Sequence, residues 1–105
     1  MKGTEKQIAW ATDIINAPAN AIKMYADGLA NTRITSCCAE AESLVKAIAT
    51  YKMMIESVPQ MQDASFVISN RSKFGAIAME AVRRTLLDDG IQPSAAMANL
   101  RANGL

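Results

Sequence analysis

The chain contains no histidine at all. That removes the commonest general base near neutral pH and the commonest zinc ligand. Its two cysteines, Cys37 and Cys38, are neighbours. Two thiols without an imidazole cannot complete a tetrahedral structural zinc site. Neighbours in a helix point about 100° apart and cannot bridge each other without breaking it. The pair is therefore no disulfide framework, and a reducing cytosol is the expected setting. The serines and threonines have no histidine partner, so a serine triad is excluded. The glycines form no phosphate-binding loop, and no pair of carboxylates stands apart from ordinary surface charge. No catalytic residue, metal or cofactor is expected, and the chain reads as non-enzymatic.

Other scarcities narrow the fold and the partners. Proline and glycine number 3 and 5 in 105 residues, while alanine is abundant, a mixture that favours helix. The balance of 11 basic and 10 acidic residues leaves a net charge of +1, neither the excess of a typical nucleic-acid binder nor the acidity of a nucleic-acid mimic. No apolar run approaches the length of a membrane span. Met1-Lys2-Gly3-Thr4-Glu5 carries no apolar core of a secretory signal. The length suits one domain, residues 1–105, large enough to build a core without staples.

What is present is helical periodicity. Thr4 followed by Gln7 is a capping box, and Glu5 places negative charge in the first turn, where the helix dipole favours it. Ile8, Ala11, Ile15, Ala19, Ile22, Ala26 and Leu29 continue one apolar face through Pro18. An interior proline costs about 3 kcal/mol, so a kink or tight break near Asn16-Ala17 is expected, with helix resuming to about Asn31. Residues 31–36 read as a polar loop, with Thr35 or Ser36 capping a second helix from Cys37 to about Ser57. Its stripe is Ala41, Leu44, Val45, Ile48, Met54, Ile55 and Val58, with Glu42 and Lys46 as an outer i,i+4 pair. Pro59 ends it. Residues 59–63 read either as a loop capped by Asp63 or as a first helical turn begun by Pro59. Ala64 to Asn70 follows, with Phe66 and Val67 inward. After a turn at 70–72, helix runs from Lys73 to Asp89, and Gly90-Ile91 is a Schellman stop. A short last helix from Ala95 to about Ala102 turns Met97 and Leu100 inward. The fold expected is an all-α bundle of four to five helices.

Each feature that could carry function has a plainer alternative. Cys37-Cys38, at a helix start that lowers a thiol pKa, could be reactive; small half-buried side chains are the plainer reading. Trp10 could anchor a partner, but a lone tryptophan on a helix face reads first as core. Met24, Met53, Met54, Met61, Met79 and Met97 could form an adaptable surface; their spacing reads as core filling. Arg71, Lys73, Arg83, Arg84 and Arg101 bias the C-terminal third toward positive charge and are the candidate partner-binding residues, for phosphate or an acidic protein surface; solvated helix faces, with Arg83 and Arg84 as local pairs of Glu80, are the plainer reading. Phe74 to Leu100 loosely suits a helix-turn-helix. Its second helix, however, carries its one cation, Arg101, at the far end, whereas recognition helices present polar residues near their start.

Residues 3–14, Gly-Thr-Glu-Lys-Gln-Ile-Ala-Trp-Ala-Thr-Asp-Ile, resemble the opening of small proteins from phages, plasmids and integrative elements of Firmicutes, which read close to Gly-Ser-Glu-Lys-Gln, then Trp-Ala-Glu-Asp-Ile. Residues 63–71 resemble a second segment of that group more loosely. There an aromatic pair stands where this chain has Phe66, and an acid where it has Ser69. Together the segments cover about a fifth of the chain, and the group supplies no site residues to carry over. Compact helical proteins of this origin include inhibitors of host defence, among them anti-CRISPR proteins. The resemblance thus implies an interaction protein that binds a host protein such as an RNA-guided CRISPR nuclease. The alternatives are a small nucleic-acid-binding regulator using the basic C-terminal third, and a self-associating phage structural or assembly protein.

Overall fold

A computed structural model describes residues 1–31 and 35–105, and for residues 35–38 the backbone alone. The described residues form an all-α bundle: α1 (Glu5–Ala30), α2 (Thr35–Glu56), a 3-10 turn at Pro59–Gln62, α3 (Ala64–Ser69), a second 3-10 turn at Arg71–Lys73, α4 (Phe74–Asp88) and α5 (Ser94–Ala102). Of the loop expected at 31–36, residues 32–34 lie outside what is described, and Thr35 and Ser36 already belong to α2; the side-chain cap at Thr35 or Ser36 and the surroundings of Cys37-Cys38 also lie outside it. A 26-residue helix is about 39 Å long, and α1 accordingly sets the long dimension of a body measuring 46 × 22 × 18 Å.

The capping box is formed. Gln7 N donates to Thr4 Oγ1 at 3.2 Å, and Thr4 N to Gln7 Oε1 at 3.1 Å. Ahead of it, Lys2 N donates to Gln62 O at 2.7 Å and Ala64 N to Lys2 O at 2.8 Å, so the first residues are stitched to the start of α3. Gly3 has φ +142°, and a Cβ there would lie 2.9 Å from Ala64 Cβ; this approach admits only glycine.

Of the kink or tight break expected near Asn16-Ala17, the break does not occur: α1 runs unbroken with Pro18 inside it. The reason is tertiary. Ala11 before the proline and Ala19, Ile22 and Ala26 after it are all buried, as is Pro18, so one register serves the core on both sides. The Tyr51 hydroxyl, brought by α2, donates to Ile15 O at 2.7 Å and ties the helix to its neighbour just ahead of the proline.

The core lies where α2 packs against both α1 and α4, with α3 beside α1 and α5 against α4. Ile22, Leu44, Tyr51, Val67, Phe74, Val82, Leu86 and Leu100 are fully buried. Ala41, Ala47, Ala78 and Ala81 are buried among them, and such small residues let helix backbones approach. Each large apolar side chain so buried contributes roughly 1.5–3 kcal/mol. The Schellman stop is complete: Ile91 N donates to Leu86 O at 2.8 Å and Gly90 N to Leu87 O at 3.0 Å, with Gly90 at φ +74°. Both readings of residues 59–63 hold in part: Pro59 opens a 3-10 turn, and Asp63 caps α3 by accepting from Ser65 N at 2.9 Å.

Several side chains depart from the expected faces. Val45 and Phe66 are exposed rather than inward. The buried apolar positions are Ala41, Leu44, Ala47, Tyr51 and Ile55 on α2 and Ala64 and Val67 on α3, and Val45 and Phe66 fall outside those stripes. Met24 and Met53 are exposed, whereas Met61 and Met79 fill the core as expected. Lys46 pairs not with Glu42 but with Asp89 Oδ2, at the adjacent end of α4, at 3.2 Å.

Candidate protein-binding face

The basic residues of the C-terminal third are dispersed by the fold. Arg83 Nε and Arg84 Nε donate to the two oxygens of Glu80 at 3.0 and 2.8 Å. The hydrogen bonds from Arg83 and then Arg84 lower the Glu80 carboxyl from its usual 4.5 to about 2. Glu80 also lines the shallow cleft that holds Arg101, beside Met79 and Met97. Lys73 lies in the exposed turn before α4. The five candidates therefore form no continuous basic patch, because an acid stands among three of them.

Arg71 has a different setting. Its guanidinium carbon lies 5.8 Å from the centroid of the Trp10 ring, a cation–π distance, and its Nη1 donates to Ile68 O at 2.9 Å. The sequence places Trp10 inward, but the structure leaves it 50% exposed. The physical reason lies in the wheel of α1. Its core arc is occupied by Ala11, Pro18, Ala19, Ile22 and Ala26, and Trp10 falls outside that arc.

Outside the arc a second apolar row runs along α1: Trp10, Ile14, Ala17, Ala21, Met24 and Gly28. The steps alternate four and three residues, the spacing of a coiled-coil seam. Met24 is 75% exposed. A cleft of about 570 Å³ lies between Ile14, Ala17 and Ala21 on one side and Arg71, Gly75 and Ala76 on the other. A second, of about 490 Å³, lies along Ala21, Met24 and Gly28. Ala21 and Asn103 line both, so the two form one groove. Its far wall is positioned by the end of α5, where Leu105 N donates to Leu100 O at 3.0 Å and Gly104 N to Arg101 O at 3.2 Å. This turn lays Leu105 over Gly75. The alternating row can be counted in the sequence; what the sequence could not show is that, among the described residues, Trp10, Ala17, Met24 and Gly28 of that row stay exposed.

The other polar constellation joins α2 to the end of α4. Ser43 Oγ donates to Asp89 Oδ2, and Lys46 reaches the same carboxylate. The hydrogen bonds from Ser43, then Lys46, lower the Asp89 carboxyl. With Ser43 only 2% exposed, the set is a latch: it compensates an acid at a helix C-terminus, where the dipole disfavours it. Among the described residues no group of three histidines, cysteines or carboxylates is placed to hold a metal, and no helix is long and apolar enough to cross a membrane.

Fold and face together define an all-α bundle whose longest helix is apolar on two sides, one covered by the core and one not. Comparison with protein-family models, with curated proteins and with solved structures finds no match.

Proposed function

We propose that the chain is a non-enzymatic interaction protein of a phage or mobile element that inhibits a host defence protein, an RNA-guided CRISPR nuclease, by binding it through the outer face of α1. The observation that carries the binding reading is the row from Trp10 to Met24, exposed at Trp10, Ala17 and Met24 and half-buried at Ile14 and Ala21, with Arg71 stacked on the tryptophan. Exposed tryptophan and arginine on an apolar ground are the residue types enriched where binding energy concentrates. A contiguous apolar patch with polar margins is unusual on a monomer that binds nothing. The mobile-element origin and the nuclease target are supported by the resemblance of residues 3–14 alone. The nucleic-acid reading is disfavoured by Glu80, which neutralises the basic cluster at Arg83 and Arg84.

The test is target cleavage by a panel of RNA-guided nucleases with the purified chain in excess. Inhibition of one nuclease, weakened about tenfold or more by Met24→Glu at unchanged thermal stability, is the expected result. A panel left fully active overturns the nuclease target. Inhibition indifferent to Met24→Glu overturns the face.

A further inference from the structure

We infer that the groove along α1 receives one amphipathic helix of a partner protein, apolar on its contact stripe and basic on one flank. The inference rests on the protein-binding reading above and specifies its occupant. The row from Trp10 to Gly28 extends over about 27 Å of helix axis, in the four-three alternation that a second helix matches.

The row is also shaped for a helix. Trp10, Ile14 and Met24 are large, whereas Ala17, Ala21 and Gly28 are small, leaving a trough between the bulky ends. A Cβ at Gly28 would meet nothing within 4 Å. The chain's own packing therefore gives no reason for a glycine that costs the helix about 1 kcal/mol relative to alanine. Close approach of a second backbone supplies one.

Charge selects among occupants. On the solvent side of the row stand Asp13, Asn20 and Asp27, seven residues apart and all exposed. Among the described residues the ion pairs are Lys46–Asp89, Glu80–Arg83 and Glu80–Arg84, so neither aspartate has one. A partner helix with lysine or arginine at seven-residue intervals meets both. A second copy does not fit. In an antiparallel pairing centred on Asn20, which brings the small residues of the trough together, Asp13 of each copy falls opposite Asp27 of the other, like against like. Phosphate and anionic lipid are repelled by the same flank.

The only tryptophan of the chain stands one helical turn before Ile14 at the end of the groove, against Arg71 of its wall, where an occupant spanning the row would cover it and change its emission. The probes are two tryptophan-free three-heptad peptides with leucine on the contact stripe, one with lysine and one with glutamate on the flanks. The lysine peptide is expected to shift Trp10 emission to the blue saturably, and the glutamate peptide to bind at least about tenfold more weakly. The double variant Asp13→Lys, Asp27→Lys reverses that order, and Ala21→Arg removes the shift with both peptides. These positions are outside the buried core, and far-UV circular dichroism checks that each variant keeps its helicity. Equal binding of both peptides, or an order unchanged by the double variant, overturns the proposal. So does a blue shift that grows with protein concentration alone as the sedimenting mass doubles, which assigns the groove to a second copy, or a shift seen only with anionic vesicles. Nuclease inhibition that is lost in Met24→Glu but indifferent to the aspartate reversal sinks the basic helix while leaving the binding face standing.

Discussion

The two apolar faces of α1 are built from the same residue types at similar spacings, yet the structure treats them oppositely. Ala11, Ala19, Ile22 and Ala26 are sealed against the rest of the bundle, while Trp10 and Met24 face solvent. A helix in a small bundle needs one apolar stripe to hold it in place. The second stripe lies outside what the chain's own core covers, and its apolar surface is available to something else. The difference teaches that the largest hydrophobic residue of a helix need not mark its core side. Ile22 and three alanines fix the packing here, and the tryptophan is left over.

That comparison can be broken by mutation. The largest effect belongs to the core that α1 packs on. Leu44→Ala should cost roughly 2–5 kcal/mol, lowering the melting temperature by about 10 °C or more for a domain of this size. Met24→Ala, on the outer face, should stay within about 0.5 kcal/mol. Equal losses in thermal melts would erase the distinction between the faces. Tyr51→Phe removes the hydroxyl that holds Ile15 and should lower stability by about 1 kcal/mol in urea titrations; no loss would show that packing alone carries α1 past Pro18.

Gly28→Ala sharpens the contrast, because folding and binding should move in opposite directions. Stability should rise by roughly 0.5–1 kcal/mol, since the added methyl meets open space. Affinity for the groove's occupant should fall.

Charge offers a finer version of the same contrast. Glu80 is satisfied within the chain, and its folded-state pKa of about 2 lies below the usual 4.5. Its contribution is thus present above the unfolded value and is lost as pH falls through the folded one. Glu80→Gln should flatten the acid limb of the stability curve between those values. Asp13, by contrast, has no ion pair among the described residues. The smallest perturbation is iodide quenching. Half-exposed Trp10 should be quenched efficiently, and protection from iodide would mean that the outer face is already covered in solution.

Much of the fold could be read from local chemistry. Thr4 and Gln7, Pro59, Asp63 and Gly90-Ile91 delimit helices through interactions spanning a few residues, so their meaning survives without the rest of the chain. The same holds for the buried positions of α4, where Phe74, Ala78, Val82 and Leu86 follow a single clear stripe. The candidate site was less accessible. The four-three row on α1 could be counted, but Trp10 and Met24 looked like core because periodicity reports which residues share a face and is silent on what lies opposite. The pairing of Arg83 and Arg84 with Glu80 was legible from their three- and four-residue spacing, and the structure forms both pairs.

The sequence by itself determined an all-α chain, where most of its helices start and stop, and one continuous apolar face for each to pack on. Those properties follow from capping, backbone propensity and spacing, which act within a turn or two. Only the tertiary structure decided that α1 passes through Pro18 unbroken, that Tyr51 and the Ser43–Asp89–Lys46 latch join distant elements, and that the Trp10 row is turned outward. These depend on groups far apart in the chain meeting, or failing to meet, across the core.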